Sequence, residues 1–277
     1  MKLLGAIPYT GNKQTLLPRL IPLFPESVGT FYDVFCGGLS VSLNVPYKVV
    51  AIDSERPLIE MYRMLMTKPN LSFADTIISE WSLTPSDSDA YNSLRKEYNE
   101  TKNPEYLYVL LMFAFNNMYR TNMKGEFNTP FGNNRFRGSR GGLKEQWYDR
   151  FSAFRRKFNA DTENMLLCAN YHAVDDRITG NDFVYCDPPY LITGAQYNKV
   201  WNEDREHELY AWLDTLNARG VKFGLSNVTD HNGLSNDILK KWIADNNYSC
   251  VSLNKKYKLN QIHSTEDLKT KEIYVHN

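Results

Sequence analysis

Five short apolar runs constrain the fold of this chain more than any other feature. They are residues 30–35 (TFYDVF), 48–52 (KVVAI), 165–169 (MLLCA), 182–186 (DFVYC) and 221–225 (VKFGL), each bounded by Gly, Asn, Asp or Pro. Short buried runs of this kind read as strands, and long helix-like stretches separate several of them. That alternation predicts an α/β protein with a mostly parallel, doubly wound sheet. Two more strand-like pieces, 249–253 and 272–276, are expected to pair as an antiparallel hairpin at one edge. From Ile52 to Met165 the chain reads instead as helical, at 57–67, 74–81, 88–98 and 105–118. So long a crossover exceeds a single βαβ connection and predicts an inserted subdomain.

The 277 residues suit one large domain, or a main domain with a smaller insert. No apolar run approaches the roughly 20 residues of a membrane span, and the apolar start of the chain is too short for a signal peptide. The expectation is a cytoplasmic protein with no membrane partner; oligomeric state is not legible. Cys36, Cys168, Cys186 and Cys250 are scattered without a CxxC pair. Three of them lie in strand-like stretches and are expected as buried free thiols. No His, Cys and Asp cluster has metal-ligand spacing, so no metal is expected.

Thirty-two basic residues balance 32 acidic ones, yet the cations are not spread evenly. Between Arg120 and Lys157 they are interleaved with Gly132, Gly138, Gly141 and Gly142 and with Phe127, Phe131 and Phe136. Most charge runs are solvated faces. A basic, flexible and aromatic run also suits phosphate contact combined with base stacking.

The sharpest motif is Asp187-Pro188-Pro189-Tyr190, directly after the run DFVYC. In open α/β sheets ligands gather at the carboxyl ends of strands. Two consecutive prolines stiffen the backbone and remove two N–H donors. What remains are acceptors, the Asp187 carboxylate and the Pro188 carbonyl, with Tyr190 available to stack on a base. An aromatic amine is a poor nucleophile because its lone pair is delocalised. Two acceptors on its protons would draw the nitrogen toward tetrahedral geometry and free that pair. The motif resembles the catalytic DPPY of amino-methylating DNA methyltransferases. Aspartate in first position resembles the adenine and some cytosine amino-methylators; enzymes that methylate glutamine amides in proteins usually carry Asn there.

Asp33-Val34-Phe35-Cys36-Gly37-Gly38 ends the first predicted strand, and its glycines allow the backbone to approach a ligand closely. It is not GxGxxG, which argues against a dinucleotide. Asp53 ends the second strand, where a carboxylate can accept both ribose hydroxyls of a nucleoside cofactor. With Tyr9-Thr10-Gly11-Asn12-Lys13 at the start, these motifs resemble the Dam family of adenine methyltransferases. The likeness is to its phage-type members and runs along nearly the whole chain.

The resemblance implies a Rossmann-like methyltransferase sheet with an inserted, mostly helical DNA-recognition subdomain. Residues 1–55 and 160–277 would be catalytic, and 56–159 would recognise the target. It implies S-adenosylmethionine as methyl donor, held by Tyr9, Lys13, Asp33, Phe35, Gly37, Asp53 and Asp187. His172 falls where the family contacts the cofactor's adenine and is a candidate for lining that site. Asp187, Pro188 and Tyr190 would be catalytic. Two segments, Phe115 to Arg120 (FNNMYR) and Thr129-Pro130-Phe131-Gly132, resemble the family's hairpin that enters the duplex, and Phe115, Asn117, Met118, Arg120, Asn122, Pro130 and Phe131 are the candidates for DNA contact. Arg120 and Arg135 are candidates for base-edge contacts, since guanidinium pairs bidentately with guanine, and Arg137 for a further DNA contact. The chain departs from the family pattern at Asn133-Asn134-Arg135 and in a longer Gly- and Arg-rich stretch, 137–142. The function implied is N6 methylation of a flipped adenine in double-stranded DNA, at GATC. Cytosine N4 methylation and a catalytically silent DNA-binding protein on the same scaffold are the alternatives.

Overall fold

The computed structural model describes residues 4–132, 143–159, 161–193, 201–253 and 270–277. In chain order the named elements begin with α1 (Leu17–Leu20), β1 (Thr30–Asp33) and β2 (Lys48–Asp53). Five helices follow: α2 (Arg56–Thr67), α3 (Ser72–Glu80), α4 (Ser88–Thr101), α5 (Pro104–Phe113) and α6 (Leu143–Lys157). Then come β3 (Met165–Cys168), β4 (Phe183–Cys186), α7 (Glu203–Ala218), β5 (Lys222–His231), β6 (Leu234–Ser235) and α8 (Asp237–Asn246). The chain closes with β7 (Ser249–Ser252) and β8 (Thr270–His276). The fold class is α/β, as the run pattern predicts. The chain separates into two compact units, Met1–Leu17 with Cys36–Asn170, and Pro18–Phe35 with Tyr171–Asn277.

In the first unit β2 and β3 pair in parallel, with Asp53 opposite Cys168 at their carboxyl ends. Helix α5 is apolar all round, and Leu107 to Phe113 are all buried, which is how a helix without a polar face behaves. It packs against α2, α3 and α4. Helix α4 starts on Asp87, whose carboxylate accepts from the amides of Asp89 and Ala90 at 2.9 and 3.1 Å. It ends on Lys102 in the left-handed region.

The predicted helix 105–118 stops five residues early, at Phe113. Asn116 and Asn117 adopt positive φ, 56° and 52°, and the Asn117 amide donates to the carbonyls of Leu111 and Met112 at 2.9 and 3.2 Å. The asparagine side chain thus satisfies carbonyls that a continuing helix would have used.

Helix α6 lies within the basic run and was not foreseen as a helix. Three of its cations are oriented by backbone carbonyls of the same unit. Arg150 donates to Gly5 at 2.8 Å, Arg155 to Met66, and Lys157 to Val45 at 2.9 Å and also to Tyr47. These groups hold α6 to the unit and are a structural part of what composition alone presents as one basic surface.

In the second unit β1 pairs with β4 and β4 with β5, all parallel. β8 then pairs antiparallel with β5, and β7 antiparallel with β8. The expected closing pair is present, but β8 lies inside the ladder and β7 alone ends it. Phe24 fills the core, its ring 5.3 to 6.0 Å from those of Phe31, Phe183, Tyr185 and Tyr274. Helices α7 and α8 pack on β5 and on each other. Cys36 and Cys186 are buried, Cys168 is partly exposed and Cys250 exposed. Of the strand cysteines expected to be buried, Cys186 is, Cys168 on β3 is only partly covered, and Cys250 is exposed because it sits on the terminal strand β7.

Candidate active site

The motif Asp187-Pro188-Pro189-Tyr190 leaves the carboxyl end of β4, where the parallel neighbour β1 also ends, with Asp33 in register with Tyr185. Pro188 is buried, and Asp187 and Tyr190 are half-buried. The Tyr190 hydroxyl lies 3.0 Å from Asp187 Oδ1 and 2.9 Å from Glu272 Oε1 of β8. Burial and these two carboxylates push the Tyr190 phenol well above its ordinary value, so the hydroxyl is neutral and a donor. Behind it the buried Tyr185 hydroxyl pairs with Ser226 at 2.7 Å. Asp33, itself buried, and Asp187 both act on Cys186, whose thiol is pushed up first by burial and then by these two charges.

Phe35, two residues beyond β1, has its ring 5.5 Å from Tyr171 and 5.6 Å from Trp201. Trp201 is anchored by its indole N–H on Glu206 at 2.6 Å. The Glu206 carboxylate is fully buried and also accepts from Tyr210 at 2.6 Å and Asn236 at 2.8 Å. His172 packs its ring 4.3 Å from Tyr171 and meets Glu208 at 3.4 Å.

The first unit carries a different carboxylate. Asp53, at the end of β2, accepts from the Gly37 amide at 2.9 Å through Oδ2 and from the Glu55 amide at 2.9 Å through Oδ1. Burial raises its carboxyl above the ordinary range, and the amides of Glu55, Gly37 and Ser54 oppose that rise. Gly37 has φ +41°, and its carbonyl accepts from the buried Tyr62 hydroxyl at 2.7 Å. A Cβ on Gly37 would lie 2.8 Å from the Tyr9 ring, so that ring closes the turn. Lys13 is only 3% exposed; its amide donates to Ser40 Oγ at 3.1 Å and its ammonium to the Gly11 carbonyl at 3.3 Å.

In the same unit a hairpin rises beyond α5, with antiparallel bridges Ala114–Phe131 and Thr121–Phe127. The two segments likened to a DNA-entering hairpin are its two arms. Met123 at the tip is 89% exposed and Phe115 43%. Asn122 organises the turn, accepting from the amides of Lys124 and Glu126 and donating to Glu126 Oε2. Arg120 reaches across to Asn128, Nε to Oδ1 at 2.8 Å and NH2 to its carbonyl at 2.9 Å. The Met118 carbonyl accepts from Thr129 Oγ1, and the Pro130 carbonyl from the Phe115 amide. Phe131 packs against Tyr91, while Phe127 is buried against Tyr98 and Tyr119. Arg135 and Arg137 lie outside the described residues.

Over residues 9–271 the sequence matches the family described as D12 class N6 adenine-specific DNA methyltransferase. The chain belongs to that family. It is 37% identical to the modification methylase StsI of Streptococcus sanguinis, over 97% of this chain and 42% of that protein. Identity to the type II methyltransferase M.FokI of Planomicrobium okeanokoites is 35%, with the same two coverages. A DNA adenine methylase of Vibrio cholerae is 28% identical, over 68% of this chain and 66% of its own length. The chain thus spans about two fifths of the length of the first two relatives. The Dam-type likeness is met at the level of the D12 class.

Within this D12-class chain the structure draws in residues that carry no motif. Tyr62 supports the Gly37 turn, and Tyr119 of the hairpin donates to Glu55 Oε2 at 3.3 Å. Glu272 lies 82 residues from Tyr190, and Glu206 gathers Asn227 and Asn236 from 21 and 30 residues further on. A single sequence offers no signal for such pairs, because they depend on register rather than spacing. Among the described residues no group of His, Cys, Asp and Glu is arranged to hold a metal ion. Nor is any helix there long and apolar enough to cross a membrane.

Proposed function

We propose that this chain transfers a methyl group from S-adenosylmethionine to the N6 amine of an adenine in double-stranded DNA. One observation carries the reading: the Asp-Pro-Pro-Tyr motif stands at the carboxyl end of parallel strand β4, in a member of an adenine-specific family. The Asp187 carboxylate and Pro188 carbonyl accept the two amine hydrogens and localise the nitrogen lone pair. Tyr190 stacks on the extruded base, a contact worth roughly 1–3 kcal/mol.

S-adenosylmethionine, when bound, supplies a methyl already activated by its sulfonium leaving group. The donor set of the first unit fits it. Each Asp53 oxygen accepts one backbone amide, and a carboxylate oxygen has a second lone-pair site for a ribose hydroxyl. Tyr9, Lys13 and Gly37 shape the turn beside Asp53. Asp33, Phe35 and His172 are assigned to the cofactor as well. The chain's contribution is alignment, which can supply on the order of 7–11 kcal/mol.

We assign target reading to residues 56–159, with Phe115, Asn117, Met118, Arg120, Asn122, Pro130, Phe131, Arg135 and Arg137 at the duplex. The catalytic domain is then 1–55 with 160–277. The likeness to the Dam family along nearly the whole chain is what supports GATC as the site.

The test is to incubate the protein with S-adenosylmethionine and unmethylated plasmid, then map every modified base. Methyl on adenine within GATC supports the whole reading. Methyl on adenine in another sequence keeps the chemistry and discards GATC. Methyl on cytosine N4, or none, overturns the adenine reading.

A further inference from the structure

We propose that Glu272 is a positioning residue for the reaction, acting on Asp187 through the Tyr190 hydroxyl; the inference rests on the methyl-transfer reading above. A phenol has one proton, and here two carboxylates accept it, Glu272 Oε1 at 2.9 Å and Asp187 Oδ1 at 3.0 Å. Were Asp187 the sole acceptor, the proton would rest wholly on the carboxylate that is to take a hydrogen bond from the substrate amine. It would also withdraw charge from the carboxylate whose acceptor strength localises the amine lone pair. Glu272 competes for that proton, leaving Asp187 a stronger acceptor, and it fixes the angle at which the Tyr190 ring stands.

The backbone explains why Glu272 can do this. It lies opposite Val228 in the β5–β8 ladder, just before a register shift, and its carbonyl accepts from the Leu253 amide at 2.9 Å. Successive strand residues point to opposite faces. Lys271 accordingly turns to Asp230 at 3.6 Å, and Glu272 turns to Tyr190. The position is thus held by strand pairing on both sides and does not depend on the motif loop it serves.

The experiment compares four full-length proteins: unaltered, Glu272→Gln, Tyr190→Phe, and both changes together. Single-turnover methylation rates, with KM for S-adenosylmethionine and for DNA, are measured on each, and circular dichroism checks folding. Glutamine donates to the Tyr190 oxygen and turns the phenol proton onto Asp187. Phenylalanine keeps the ring and removes the proton. Glu272→Gln is expected to slow transfer about tenfold with both KM values unchanged, and to cost less than about twofold in the Tyr190→Phe background, since residues in one network couple. An equal cost in both backgrounds, or no cost in either, overturns the proposal. If Glu272→Gln does not fold, Glu272→Asp, too short to reach, replaces it in the same comparison. Failure of the unaltered protein to methylate adenine counts against the functional reading; additivity in an active enzyme counts against Glu272 alone.

Discussion

Two carboxylates, one in each compact unit, are held in opposite ways. Asp53 is gripped by backbone amides, Gly37 on Oδ2 and Glu55 on Oδ1, with the Ser54 amide also acting on it. Asp187 is met by a side chain, the Tyr190 hydroxyl, which a second side chain also claims. Amides are placed by the fold itself, so the Asp53 orientation follows wherever β2 and the Gly37 turn form. A hydroxyl can be redirected by one substitution. The contrast suits the proposed roles: a group that binds an invariant ribose needs rigidity, and a group that tunes a reacting amine benefits from adjustable partners.

The largest expected effect breaks the adjustable side. Asp187→Ala should lower the single-turnover rate at least about 10²–10³-fold, the scale set by losing one group aimed at developing charge. DNA affinity, measured by fluorescence anisotropy, should stay within about twofold. Equal loss of both would make Asp187 a structural residue. Next comes the rigid side. Asp53→Ala removes charged hydrogen bonds to the ribose, and losing even one, worth about 1.5–3 kcal/mol, should lower cofactor affinity by calorimetry at least about 10- to 150-fold. The rate at saturating cofactor should change far less; if rate and affinity fell together, Asp53 would not be a binding group alone.

The rigid grip has its own weak point. Gly37 sits at φ +41° with the Tyr9 ring where a Cβ would go. Gly37→Ala should therefore destabilise by about 1–3 kcal/mol, read as a shift in denaturant midpoint. A neutral result would mean that the turn relaxes freely and that Asp53 is held less firmly than its two amides suggest.

Most of this comparison was legible at the ends of strands and little of it elsewhere. The apolar runs announced β1 to β5, and the position of Asp53 and of the Asp-Pro-Pro-Tyr motif at strand ends followed from where those runs stop. The helix 105–118 was overextended because its apolar pattern continues through Phe115, whereas the chain turns on the left-handed Asn116 and Asn117. Glu272 was invisible as a partner because the β5–β8 register, with its shift between Val228 and Asp230, decides which residue faces Tyr190. The basic run misled in part for a similar reason: composition counts Arg150, Arg155 and Lys157 as surface charge, and tertiary structure turns them onto backbone carbonyls.

Those cations extend the comparison to groups held by the fold. Arg150 donates to the Gly5 carbonyl at 2.8 Å, and burial lowers its guanidinium from the usual value. Arg150→Met should destabilise by about 1–2 kcal/mol through that lost bond, while the salt dependence of DNA binding stays unchanged. A phosphate contact would instead reduce the slope of log K against log salt by about one. That outcome would return Arg150 to the DNA surface and remove it from the framework.

The smallest effect is a pH dependence that separates the two duties of Asp53. In the unfolded chain an aspartate titrates at about 3.9, and burial lifts the folded value above that. Above the folded value, the native state carries a charge that burial penalises, so ionised Asp53 subtracts stability at neutral pH. As pH falls through the folded value, the native state takes up the proton before the unfolded chain does, and the penalty is relieved. Cofactor affinity moves the other way, because a protonated carboxyl loses acceptor strength toward the ribose hydroxyls. Calorimetry from pH 7 downward should show affinity declining at a pH above the ordinary aspartate value, with no such decline left in Asp53→Ala. Affinity that holds constant down to about pH 4 would mean that the amide bonds of Gly37 and Glu55 outweigh burial. The backbone would then fix the charge of this carboxylate as well as its direction, and the contrast with Asp187 would be sharper still.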